Sequence, residues 1–136
     1  MRVNILALFI LLATTLLISC SKGGESSPNY TYTYKLAGPA ATVVQVQYTP
    51  TMTDPNMTEV PDDLEYEEQV TPPWEKTVTL HKNIAGAGFS ASVSNGVPGA
   101  KYTISILSKD GNVLKTGDFT LDEYGDGALL LNYYRN

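Results

Sequence analysis

A nucleophilic active site needs a base beside its Ser or Cys, and His81 is the only histidine in the chain. Alternation from Trp74 to Lys82 places His81 on the wet face with Thr77 and Thr79, so it reads as a surface residue. No serine stands in a Gly-x-Ser-x-Gly turn. Glycoside cleavage needs two carboxylates held rigidly across a cleft. The richest supply of acids is Pro50 to Pro73, where Asp54, Glu59, Asp62, Asp63, Glu65, Glu67 and Glu68 stand among five prolines and no base. Prolines break such a stretch into a loop. The second acidic run, Asp122-Glu123-Tyr124-Gly125-Asp126-Gly127, echoes a calcium loop but puts Tyr124 at the third ligand position and Tyr133 where the bidentate Glu belongs. It reads as an acidic turn that keeps a sheet edge soluble. The expectation is a protein that is not an enzyme, with no cofactor and no metal. A net charge of −5 also counts against a nucleic-acid partner.

The one cysteine, Cys20, excludes a disulfide framework and a Cys-based zinc site. Its position suggests another chemistry. Arg2 is followed by an apolar run from Ile5 to Ile18, interrupted by Thr14 and Thr15, and then by Leu17-Ile18-Ser19-Cys20. This order of charge, apolar run and Cys is that of a secretory signal, and its end resembles the lipobox of bacterial lipoproteins, in which the Cys is lipidated and the chain is cleaved in front of it. Residues 1–19 are expected to be the signal peptide, Cys20 the lipid attachment site and 20–28 a flexible tether. The tether Ser21 to Pro28 is Gly- and Ser-rich, with a root-mean-square span of roughly 15 Å and a fully stretched reach of about 28 Å. Cleavage removes Arg2 and leaves the mature chain more acidic, so attachment to the membrane rests on the lipid. Ser21 in place of an Asp points to the outer membrane of a bacterial envelope.

From Asn29 to Asn136 the pattern is that of an all-β domain. Tyr30 to Leu36 alternates Tyr or Leu with Thr or Lys. Val44, Val46 and Tyr48 oppose Gln45 and Gln47, and Trp74, Val78 and Leu80 oppose Glu75, Thr77, Thr79 and His81. Lys76 breaks that last pattern and is expected at a strand end. Phe89, Ala91 and Val93 point inward with three Ser outward, and Leu129, Leu131 and Tyr133 share a face. In Lys101 to Phe119 a three-residue loop of Lys109, Asp110 and Gly111 would pair Ile106 with Leu114 and Ser105 with Lys115, which keeps both faces consistent. About seven short antiparallel strands with turn signals between them predict an immunoglobulin-like β-sandwich. The Pro-rich acidic connection at 50–73 interrupts it, with Leu64 to Val70 as a weak strand. Tyr30, Tyr32 and Tyr34 read as core or edge packing and Trp74 as a core anchor. Exposed together, Tyr66, Trp74 and Tyr124 would form the candidate binding surface.

Three stretches carry a family resemblance: Tyr32 to Gly38 (YTYKLAG), Val44 to Thr49 (VQVQYT) and Thr71 to Leu80 (TPPWEKTVTL). In kind and order they resemble the MmpS family, small membrane-anchored β-sandwich proteins that serve as accessories of RND-type lipid exporters. The chain departs from that family in having a lipobox for a transmembrane anchor and no Cys pair in the later strands. The resemblance implies no catalytic residues and a transporter or envelope protein as partner. The expected function is therefore a non-enzymatic, lipid-anchored envelope protein that binds or scaffolds a membrane complex as a candidate transport accessory. A surface module for a glycan or a lipophilic ligand is the alternative, and the oligomeric state is not legible.

Overall fold

The structure, a computed structural model, describes residues 29–61 and 66–136. The signal peptide, Cys20, the tether and Leu64 lie outside the described residues. Eight strands follow in order: β1 (Asn29–Ala37), β2 (Val44–Tyr48), β3 (Glu67–Val70), β4 (Trp74–His81), β5 (Gly86–Val93), β6 (Lys101–Ser108), β7 (Val113–Thr120) and β8 (Gly127–Tyr134). They form two four-stranded antiparallel sheets, ordered β4-β1-β6-β7 and β3-β2-β5-β8, and no helix occurs among the described residues. The fold is a β-sandwich, with one strand more than the alternation predicts. The extra strand is β3, the end of the weak run in the acidic connection.

Alternation decides which side chains fill the space between the sheets. Tyr32, Tyr34 and Leu36 of β1, Val44, Val46 and Tyr48 of β2, and Phe89, Ala91 and Val93 of β5 are all buried. Tyr34 packs tilted against Phe89 and Tyr48, with ring centroids 5.1 and 5.6 Å away, and its hydroxyl donates to the Thr49 carbonyl at 2.9 Å. That burial pushes the Tyr34 phenol well above its ordinary value. Tyr30 departs from its neighbours. It is exposed at the end of β1, where the Arg135 guanidinium lies 4.0 Å from its ring centre. The same guanidinium donates to the Tyr32 hydroxyl at 3.0 Å and the Lys82 carbonyl at 2.7 Å, tying the chain after β8 to β1 and to the β4–β5 turn.

Three local expectations are corrected. The three-residue loop forms, with Gly111 at φ 81° and Ser108 N–H bonded to the Asn112 carbonyl at 2.8 Å. Beyond it the register shifts between Ile106 and Leu107, so that Ile106 faces Lys115 and Ser105 faces Thr116. A bulge inserts one residue into an edge strand. Leu114 can then turn to the core while Lys115 leans out over the edge, so a pairing that looks mismatched buries no charge. His81 is 6% exposed, not on the wet face. The segment after β2 folds over the end of β4, where Met52 is buried, bridges Leu80 and accepts the His81 N–H at 2.7 Å. Lys76 lies within β4, not at its end, and faces Tyr34 in the ladder.

Candidate functional site

The inward position of Lys76 has a partner in the other sheet. In β3, Glu68 occupies the same kind of position, and the Lys76 Nζ donates to Glu68 Oε1 at 2.7 Å. The Tyr48 hydroxyl donates to the same oxygen, and the Lys76 Nζ lies 5.5 Å from the centre of the Tyr48 ring. Trp74 sits beside them at the start of β4, half-buried, its ring 5.9 Å from Tyr48 and 5.8 Å from Phe89. The edge strands β3 and β4 are joined by Thr71-Pro72-Pro73, with a cis bond between the prolines. That short link holds the two edges face to face, so the charges meet across the sandwich opening.

Electrostatics fix the protonation states there. The hydrogen bond from Lys76, and then that from Tyr48, hold the Glu68 carboxyl below its ordinary range. The same bond to Glu68 lifts the Lys76 ammonium. Burial, followed by the bond to Glu68, pushes the Tyr48 phenol up. Near neutral pH the trio is therefore carboxylate, ammonium and neutral phenol. The ammonium has no free lone pair for attack, and the carboxylate has no proton to give. Its arrangement supports closure of the sheet edges.

The three predicted surface aromatics do not converge. Trp74 packs inward on the β4 edge, as the core-anchor reading expects. Tyr124 is 74% exposed in the turn between β7 and β8. Since β4 and β7 are opposite edges of one sheet, three strand spacings, about 14 Å, separate them. In that turn, Asp122 Oδ1 accepts the Tyr124 and Asp126 N–H groups at 2.9 Å each, so the carboxylate is engaged by its own backbone.

Tyr66 stands just before β3, where its carbonyl accepts the Tyr48 N–H at 3.0 Å. It lines a shallow cleft of about 210 Å³ with Gln47, Thr49, Val60, Ser90 and Leu130. A neighbouring cleft of about 350 Å³ shares Gln47, Ser90 and Leu130 and adds Gln45 and Ser92. The outer face of β2, β5 and β8 thus presents amides and hydroxyls around exposed Leu130, with Tyr66 at one border and Glu67 of β3 accepting from the Gln47 amide. Sequence alternation put Gln45, Gln47 and the serines on wet faces. It carried no signal that β2, β5 and β8 are neighbours.

No protein-family model matches the chain, nor does any curated protein or solved structure.

Proposed function

We infer that the protein is a non-enzymatic, lipid-anchored component of a bacterial envelope, immunoglobulin-like and MmpS-like in kind, that binds or scaffolds a membrane or envelope protein complex. The carrying observation is the N-terminal order of Arg2, apolar run, Leu17-Ile18-Ser19-Cys20 and polar tether, followed at once by a β-sandwich beginning at Asn29. A domain on so short a tether works within roughly 30 Å of the membrane. Its reachable partners are then membrane and envelope proteins, which fits a transport accessory at the outer membrane. Metabolic labelling with a clickable fatty acid tests the anchor: label on the unsubstituted chain, lost in Cys20→Ala, is expected. Cross-linking in cells should then capture an envelope protein. Label surviving the substitution, or recovery of this chain alone, overturns the reading.

A second reading rests on the outer face of β2, β5 and β8, whose own side chains carry no charge and whose Gln47 is held by Glu67 of β3. Amides, hydroxyls and an aromatic border suit a neutral, hydroxyl-rich ligand such as a glycan. Hits on a glycan array that vanish in Gln47→Ala and Tyr66→Ala would support it, and an empty array would end it.

A further inference from the structure

The four edge strands of the sandwich are guarded unequally. β3 is four residues long and carries Glu67 and Glu68. β4 carries Glu75 and Lys76, and Met52 covers its far end through backbone bonds to Thr79 and His81. β7 carries Lys115 and Asp118 and is broken by the register shift. Short length, charge, bulges and cover are the devices that keep edges from pairing with other chains. β8 has none of them. It is eight residues, Gly-Ala-Leu-Leu-Leu-Asn-Tyr-Tyr, uncharged and in unbroken register with β5 from end to end. Its outward side chains include Leu130 at 62% and Tyr134 at 68% exposure. Among the described residues β8 has no strand partner but β5.

We propose that the free edge of β8 is a dimerisation edge, at which two copies of this chain pair their β8 strands antiparallel about a two-fold axis through Leu131. Two hydrogen bonds set the phase. Arg135 N–H donates to the Ala85 carbonyl at 2.9 Å, whereas the Gly88 carbonyl, opposite Asn132, accepts from Thr49 on the β2 side at 3.0 Å. Antiparallel pairing alternates bonded and non-bonded positions. Ala128, Leu130, Asn132 and Tyr134 therefore aim their backbone groups at the free edge. A two-fold at Leu131 sets Leu130 opposite Asn132 of the second copy and Ala128 opposite its Tyr134, so every outward group finds a counterpart and the large ring meets the smallest side chain. Shifting the pairing by one residue would set these groups opposite residues whose backbone groups are already bonded to β5.

The occupant follows from self-complementarity. An isologous contact uses the same patch twice, and this patch has no charge to repel its copy. Guarding on the other edges stops growth at two copies, joining two four-stranded sheets into one. Antiparallel pairing also puts the two Asn29 poles at opposite ends, so a tethered dimer lies with its strands along the membrane.

The test is sedimentation of the full chain in density-matched detergent. A two-copy mass is expected for the unsubstituted chain. Leu130→Lys with Asn132→Lys sets like charges opposite across the axis and should weaken association about tenfold or more. Leu130→Lys with Asn132→Glu sets opposite charges there and should restore it. Both positions are exposed, so circular dichroism should show unchanged folding in each variant. A one-copy mass for the unsubstituted chain, the result if the edge instead receives a strand from another protein, overturns the proposal. So does a two-copy mass indifferent to the double-lysine change, which would place the contact elsewhere.

Discussion

Along the β3–β4 side of the sandwich a carboxylate and an ammonium reach across the opening, under the rings of Tyr48 and Trp74. Along the β7–β8 side no ion pair joins the two strands among the described residues. Gly117 leaves room for Leu129, whose Cδ2 would stand 2.8 Å from a Cβ placed there, with Leu131 Cδ2 at 3.3 Å. The two sides solve one problem with different chemistry. Polar closure arms its strand edges with charge as a by-product. Apolar closure draws Leu129 and Leu131 of β8 inward and leaves the outer edge of that strand without a guard. The charged side is thus sensitive to pH, and the apolar side is the one open to another strand.

Substitutions on the two sides should differ in size and in pH dependence. Trp74→Ala should cost most, about 3 kcal/mol, because it empties a site packed on two rings. Urea unfolding at neutral pH measures it, and a loss below about 1 kcal/mol would show that the ring only leans on the core. Gly117→Val should follow, at about 2 kcal/mol from overpacking against Leu129, with a deficit that stays constant across pH.

Glu68→Gln should cost less, about 1 kcal/mol, since Lys76 and Glu68 are both partly solvated. Its deficit should change with pH. A carboxyl held low in the folded state adds stability above its unfolded value, near 4.3, and loses it as pH falls through the folded value. Thermal melts of wild type and variant should therefore converge on acidification. At the other end, the raised Lys76 and Tyr48 contribute fully below about pH 10 and lose that contribution as pH rises through their folded values. A Glu68→Gln deficit as flat as that of Gly117→Val would deny the charged side its distinct chemistry. Smallest of all, Leu130→Ser should shift the intrinsic stability of one copy by less than about 0.5 kcal/mol, as expected of an exposed side chain.

Much of the sandwich was legible from alternation, because a side chain's face depends on its neighbours two residues away. The inward sets of β2, β5 and β8 were predicted residue by residue, as was the loop at Lys109 to Gly111. Misreadings fell where a distant segment intervened. His81 follows the wet pattern of Thr77 and Thr79, yet it is buried at the end of β4 where Met52, far off in sequence, bonds to its backbone. Lys76 looks like an interruption until Glu68 stands opposite. The bulge after Ile106 escaped because an edge strand can spare a residue that a central strand cannot. Of the candidate site, the sequence named three aromatics but not their separation.

Alternating faces, turn positions, an acidic, histidine-poor composition and the order of residues leading to Cys20 are local features carried by the amino-acid order. Tertiary structure alone decided which strands are neighbours. That choice depends on burial shared between segments far apart in the chain, and no short window records it. It brought Glu68 to Lys76, gathered Gln45, Ser92 and Leu130 on one face, and left β8 at the end of its sheet with an uncharged edge.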